Sequence, residues 1–114
     1  MDNRQLIKLI YNAIDDRKGE NIKLLDISEV SVMADYFVIA SGNNKNQVQA
    51  IADSVNEAMI ANKVELKATE GYNTAGWILM DYGDVIVHIF SKEERLFYDL
   101  ERIWRDGKPI EIEA

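Results

Sequence analysis

Apolar residues recur at helical spacing in two segments of the first half of the chain. The first segment runs from about Asn3 to Lys18, and Gly19 follows where a helix C-terminus favours a left-handed residue. The second begins near Asn44, and Gln47 three residues later gives the pattern of a capping box. These features predict two amphipathic helices that each bury one face.

A third helix is predicted near the C-terminus. Ser91 and Glu94 form a second capping-box pattern, and the helix extends through about Arg105. Its inward-facing residues are Leu96, Leu100 and Ile103. At about 100° per residue, Tyr98 lies on the opposite side of the helix, so an aromatic ring is turned away from the core.

Five shorter segments have the residue types and spacing of β-strands. They are NIKLLDIS, ADYFVIAS, VELKAT, WILMDY and VIVHIF, which begin at residues 21, 34, 64, 77 and 85. The second contains a continuous apolar run, residues 37–40, which indicates a central strand covered on both faces. The last two flank Gly83 and Asp84, a two-residue connection typical of tight hairpins. Because a hairpin pairs its strands antiparallel, this order predicts an α/β fold with a five-stranded mixed sheet and packed helices.

The length of 114 residues and the composition fit one globular domain. Hydrophobic residues make up 47% of the chain, and no run approaches the roughly 18 apolar residues of a membrane helix. The N-terminus lacks the basic and apolar regions of an export signal, so we predict a cytoplasmic protein without membrane association. The absence of cysteine excludes thiolate catalysis, and a single histidine excludes a multi-histidine metal site within one chain.

The formal net charge of -7 disfavours direct binding to nucleic acid. The few lysines and arginines form no run that could concentrate positive charge in one patch. Long-range electrostatics instead favour a positively charged partner, and many basic protein surfaces in a cell belong to nucleic-acid-binding proteins. Ribosomal proteins are one such class.

An enzyme hypothesis places a phosphate at Ser41, Gly42 and Asn43, where the second helix begins, and magnesium between Asp81 and Asp84. A helix N-terminus does offer unpaired N–H groups to an anion. The segment nevertheless lacks the repeated glycines of nucleotide-binding loops, and helix capping explains its sequence. The two aspartates are three residues apart across a glycine turn, so their carboxylates should diverge. We therefore predict no cofactor, no metal site and no catalytic residues.

Two ring-bearing residues of the hairpin need separate interpretation. His88 shares its strand face with Ile86 and Phe90, which indicates a hydrogen-bonded core histidine rather than a catalytic base. Trp77 begins a strand after a loop, so its ring is either buried or displayed. Aromatic residues are favoured interface anchors, and nearby acidic residues suit a basic partner. We hypothesise that Trp77 and Tyr98 lie near each other on one docking surface.

Several of these segments together resemble the ribosomal silencing factor family, also called the Iojap family. The resemblance rests on ADYFVIASG, on QAIADSV in the second helix, on GWILMDYGDVIVHIF and on RLFYDLERIW. It covers the chain from the first helix to Trp104, so we expect residues 1–105 to form the family's domain and residues 106–114 to be a C-terminal extension. It implies a topology similar to that of nucleotidyltransferases, without their catalytic carboxylates.

The resemblance also implies a function, translational repression. Members of the family bind the fourteenth protein of the large ribosomal subunit and block joining of the small subunit. Carried over position by position, the docking residues are Trp77, Met80, Asp81, Tyr82, Arg95, Tyr98 and Asp99. Strict strand alternation separates Trp77 and Asp81 from Met80 and Tyr82, so these residues do not share one flat face.

Two alternatives remain open at this point. One is a nucleotidyltransferase-like enzyme that uses Ser41, Gly42 and Asp81 with a metal ion. The other is a self-associating module, for example a homodimer, that uses the hairpin surface.

Overall fold

The computed structural model describes residues 2–29, 31–32, 34–97 and 108–110. Within these ranges the chain forms a mixed α/β fold. Its elements in chain order are α1 (Asn3–Asp16), β1 (Glu20–Asp26), β2 (Tyr36–Gly42), α2 (Lys45–Ala61), β3 (Ala68–Glu70), β4 (Trp77–Asp81), β5 (Val85–Ser91), α3 (Lys92–Phe97) and β6 (Lys108–Pro109).

The strands form one sheet in the order β3-β4-β5-β2-β1-β6. The central pair, β2 and β5, is parallel, and the other neighbours are antiparallel. The predicted five-stranded mixed sheet is therefore confirmed, with a short sixth strand added at one edge. That strand, β6, pairs with Leu25 and Asp26 of β1. Residues 108–110, which were predicted to lie in a C-terminal extension, thus take part in the sheet or adjoin it.

The central strand β2 is buried on both faces, as its apolar run predicted. Val38 and Ala40 face α1 and α2 and belong to the larger core cluster. Ile39 lies on the opposite face, in a second cluster with Leu25 and Phe90. All three consecutive residues, Val38, Ile39 and Ala40, are inaccessible to solvent.

Helix α1 was predicted to extend to about Lys18 but ends at Asp16. Lys18, not Gly19, has the left-handed conformation, with φ of 58°. A Cβ atom on Gly19 would overlap Cγ2 of Ile14, so the glycine is required by close packing rather than by its backbone angle. The left-handed residue after the helix is therefore Lys18, one position earlier than expected.

Only one half of the predicted capping box is present at the start of α2. Asn44 Oδ1 accepts a hydrogen bond from the N–H of Gln47 at 2.8 Å. The Gln47 side chain does not complete the capping box on Asn44, because its oxygen accepts from the N–H of Asn43 at 2.6 Å. Its amide nitrogen donates to the carbonyls of Arg17 and Lys18. Gln47 thus fastens the start of α2 to the end of α1.

The third predicted strand begins later than its sequence pattern suggested. Residues 64–67 precede β3, and the N–H of Val64 donates to the carbonyl of Met59 at the end of α2. Val64 and Leu66 pack against the larger core cluster. The alternating apolar residues therefore contact the core, but they do not form a strand.

The predicted hairpin turn at Gly83 and Asp84 is confirmed. The N–H of Tyr82 donates to the carbonyl of Val85 at 2.9 Å, which closes a two-residue connection. Gly83 has φ of +95°, and its N–H donates to Asp81 Oδ1 at 2.7 Å. Positive φ at the first of two central residues is the feature that selects glycine in type II′ turns.

We expect Gly83→Ala to lower the free energy of unfolding by about 1–3 kcal/mol, because an L-residue is strained at this φ. Chemical denaturation would measure the change. Asp84→Ala is the matched control, since Asp84 lies in the same turn without a positive φ, and its exposed side chain should contribute little. Equal effects of the two substitutions would show that backbone strain does not explain the glycine.

Candidate partner-binding surface

Strand β4 divides the predicted docking residues between two sides of the sheet. Ile78 and Met80 point towards α1 and α2 and are buried in the larger core cluster. Trp77, Leu79 and Asp81 alternate with them and lie on the opposite face, where each is partly accessible. Only this second set can present side chains to another molecule from β4.

Met80 and Tyr82 must therefore be removed from the set of accessible residues. Met80 is 2% exposed and Tyr82 is 6% exposed. The Tyr82 hydroxyl donates to Oδ1 of Asn56 on α2 at 3.2 Å, and burial raises the pKa of the phenol. Both side chains pack on the face of the sheet that α2 covers, and they support the hairpin from that side.

Trp77 is displayed but held in place. Its side chain is 37% exposed, and its ring stacks on Phe90, with ring centroids 5.1 Å apart and an interplanar angle of 20°. Phe90 is its direct partner across the β4–β5 ladder. The indole Nε1 donates a hydrogen bond to Nδ1 of His88 at 3.1 Å. One part of the Trp77 ring therefore packs on the sheet, and another part is exposed to solvent.

His88 is the hydrogen-bonded core histidine that the sequence predicted. It is 6% exposed, and it shares its strand face with Ile86 and Phe90. The edge of its ring contacts Phe37, with centroids 4.6 Å apart and planes at 73°. Burial lowers the pKa of His88 to about 4, so the imidazole is neutral at pH 7. Because Nδ1 accepts from Trp77, the proton of the neutral ring is on Nε2.

Arg95 connects α3 to the sheet. Its guanidinium donates to the Ser41 hydroxyl at 2.6 Å and to the carbonyl of Glu20 at 3.5 Å. The group is half-buried, and burial lowers the pKa of Arg95 from its ordinary value. These contacts give Arg95 a structural role in joining α3 to β2 and β1.

The residues of the enzyme hypothesis are engaged in contacts within the fold. Ser41 is buried and its hydroxyl accepts from Arg95. A Cβ atom on Gly42 would lie 3.0 Å from Cγ2 of Val48, so the segment packs tightly on α2. Asp81 Oδ1 accepts from the N–H of Gly83 in the turn. Within the described ranges, no group of three or more His, Asp or Glu side chains is arranged to hold a metal ion.

The start of α3 lies beside the start of β4, as the docking hypothesis requires. The N–H of Ser91 donates to the carbonyl of Gly76 at 2.9 Å. A Cβ atom on Gly76 would lie 3.1 Å from Cγ of Glu94. Ser91 Oγ accepts from the N–H of Glu94 at 3.2 Å, which confirms the Ser91 half of the predicted capping box. The predicted docking residues Tyr98 and Asp99 lie outside the described residues.

The Trp77–His88 hydrogen bond was missed from the sequence, although the hairpin register contained the signal. A two-residue turn at Gly83 and Asp84 pairs Tyr82 with Val85, and counting outwards pairs Leu79 with His88 and Trp77 with Phe90. Trp77 and His88 are therefore diagonal neighbours on one face, within reach of long aromatic side chains.

The chain is similar to known proteins over its whole length. A family model described as "Ribosomal silencing factor during starvation" matches residues 1–114. The chain belongs to this family. It is 43% identical to the protein "Ribosomal silencing factor RsfS" of Halalkalibacterium halodurans over 114 residues, which is 100% of this chain and 97% of that protein. It is 40% identical to the protein of the same name from Bacillus subtilis, over 99% of this chain and 96% of that protein.

The fold of the chain is also similar to that of a solved structure. The fold matches a crystal structure of a protein from Chromobacterium violaceum with a TM-score of 0.89 and 32% sequence identity, over 100% of this chain and 95% of that one. Family membership makes the protein a ribosome-associated silencing factor, a regulator of translation. Among the helices of the described ranges, none has the length and apolar character needed to cross a membrane.

We expect acid to destabilise the fold through His88. The unfolded chain takes up a proton at the ordinary pKa of 6.5, whereas the folded chain does so at about 4. The stabilising contribution of neutral His88 is therefore complete above pH 6.5 and decreases as the pH falls towards 4, by about 3 kcal/mol in total. Denaturant unfolding at several pH values would measure it.

His88→Phe is the control for this pH dependence, because carboxylates titrate in the same range in both proteins. The difference in free energy of unfolding between wild type and variant should change between pH 7 and pH 4.5. A constant difference would show that His88 does not titrate as a buried neutral group.

We expect Arg95→Met to reduce the free energy of unfolding by about 1.5–3 kcal/mol, since it leaves the buried Ser41 hydroxyl without its charged donor. Lys92→Met is the matched control on the same helix. Lys92 pairs with Glu20 at 2.7 Å, but both side chains are about half exposed, so its removal should cost about 0–1 kcal/mol. Chemical denaturation of both variants would distinguish the two roles, and similar losses would contradict them.

Proposed function

We propose that the protein represses translation by binding the large ribosomal subunit through its fourteenth protein, which sterically blocks joining of the small subunit. Family membership supports a silencing role at the ribosome. The observation that carries the docking proposal is the indole of Trp77, which is fixed against Phe90 and His88 while 37% of the side chain remains exposed.

We call the proposed docking surface the Trp77 surface. It consists of Trp77, Leu79 and Asp81 from β4, together with Arg95, Tyr98 and Asp99. Met80 and Tyr82 stay in the proposal only as buried supports of β4. Arg95 fixes α3 to β2 and β1, and any direct contact with the partner would use the accessible part of its side chain. The surface thus combines one strand face with one helix.

The physical properties of this surface suit docking. A partly exposed, pre-positioned tryptophan is a favoured interface anchor, because it buries a large area with little loss of side-chain freedom. The net charge of -7 favours encounter with a basic ribosomal protein and disfavours direct contact with RNA. The protein would then act in the cytoplasm, where subunits join.

The mechanism needs no bond to be made or broken. A bound domain occupies space that the small subunit requires, so repression depends on affinity and placement alone. We therefore propose a binding protein without catalytic activity or cofactor. The intramolecular contacts of Ser41 and Asp81 support this choice, since both groups are committed to the fold.

We expect Trp77→Ala to weaken binding to isolated large subunits by at least about 30-fold, the loss typical of a central aromatic anchor. Co-sedimentation through a sucrose gradient would measure binding, and addition of small subunits would measure joining. Tyr72→Ala is the matched control: Tyr72 is 38% exposed, but its hydroxyl donates to Asp53 of α2, away from the Trp77 surface. It should bind like wild type.

Wild-type binding by Trp77→Ala would reject the Trp77 surface. Magnesium-dependent nucleotide binding by the purified protein, measured by calorimetry, would instead favour the nucleotidyltransferase-like alternative. Sedimentation against protein concentration tests the homodimer, since self-association through the Trp77 surface should weaken in Trp77→Ala.

A further inference from the structure

The indole of Trp77 is held from two directions. Phe90 supports one face of the ring by stacking, and His88 Nδ1 accepts the indole N–H at 3.1 Å. Stacking alone restricts the tilt of the indole against Phe90. It still permits the indole to slide across Phe90 or to flip onto its other face. A directional hydrogen bond to Nε1 selects one orientation, because the alternatives leave the buried imidazole acceptor of His88 without the indole donor.

His88 is itself rigidly placed. Its ring is 6% exposed, lies edge-on to Phe37 and is nearly parallel to Phe90, with an interplanar angle of 14°. The histidine sits in the middle of β5, whose neighbours β4 and β2 pair with it on both sides. The acceptor atom therefore has a fixed position relative to the sheet.

We propose that His88 is a positioning residue for docking, which fixes the Trp77 indole in its binding orientation through Nδ1 without contacting the partner. This inference rests on the proposed function, in which Trp77 is the anchor. Ordering the ring during folding means that its freedom need not be lost on binding. The neutral imidazole is suited to this task, since burial lowers the pKa of His88 to about 4 and leaves Nδ1 free to accept at pH 7.

Two substitutions at position 88 separate positioning from simple packing. His88→Phe keeps a buried aromatic ring on the face with Phe37 and Phe90 but removes the acceptor. His88→Asn loses the ring but keeps an oxygen that can accept at the place of Nδ1. A packing role predicts that the phenylalanine variant binds better, because it preserves the core. A positioning role predicts the reverse order.

We expect His88→Phe to weaken co-sedimentation with large subunits by about tenfold while its folded state remains intact. We expect His88→Asn to bind more tightly than His88→Phe although it unfolds at a lower denaturant concentration. The opposite order of binding, or equal binding by wild type and His88→Phe, would overturn the proposal.

A spectroscopic measurement reports on the hydrogen bond itself. The Trp77 indole N–H resonance, assigned by its loss in Trp77→Phe, should move upfield and exchange faster with water in His88→Phe. It should stay close to its wild-type position in His88→Asn. An unchanged resonance in His88→Phe would contradict the positioning role.

The outcomes also separate this inference from the docking proposal. If Trp77→Ala loses binding while His88→Phe retains it, the anchor stands and the positioning role is wrong. If Trp77→Ala binds like wild type, the docking proposal fails, and with it the part of this inference that concerns binding.

Discussion

The parallel pairing of β2 with β5 is the constraint on which the rest of the structure depends. Both strands are central, and their register places Ser41 beside Phe90 and Gly42 beside Ser91. The carboxyl ends of the two strands therefore coincide, and the helices that follow them, α2 and α3, begin at the same edge of the sheet. Because β4 runs antiparallel to β5, its first residue, Trp77, is brought to that edge as well.

This arrangement explains how distant parts of the chain contribute to one surface. Arg95 on α3 reaches Ser41 at the end of β2, although 54 positions separate them in the chain. Glu94 packs beside Gly76, immediately before Trp77. The helices α1 and α2 cover the other face and bury Met80, so β4 is fixed from below while its Trp77 side stays accessible. The accessible side is thus determined by which face the helices occupy.

The sequence predicted those parts of the fold that depend on local patterns. The apolar run of β2, the cap at Asn44 and the turn at Gly83 each follow from residue types at fixed spacing, and the structure confirms them. Errors arose where tertiary packing decides. Gly19 is required by the proximity of Ile14, and the apolar residues before β3 contact the core without forming a strand. Neither contact is visible in a one-dimensional pattern.

The candidate site was likewise predictable where local patterns decide and not where tertiary packing decides. Alternation along β4 was sufficient to separate Trp77 and Asp81 from Met80, but only the packing of α2 shows which set is buried. The docking set taken from the family resemblance contains both accessible and buried side chains of the hairpin, since a shared sequence motif does not distinguish the two. The register of the hairpin would have placed Trp77 diagonal to His88, yet the hydrogen bond also requires both rings to lie on the face away from α2.

Three polar groups near this surface form hydrogen bonds within the fold. Here the Ser41 hydroxyl accepts from Arg95, the Asp81 carboxylate accepts from the turn at Gly83, and His88 Nδ1 accepts from Trp77. Each bond fixes a neighbouring element: α3, the hairpin tip and the indole. Of these three bonds, the one from Trp77 to His88 acts directly on the indole, and it holds this ring in a defined orientation at the edge of the sheet.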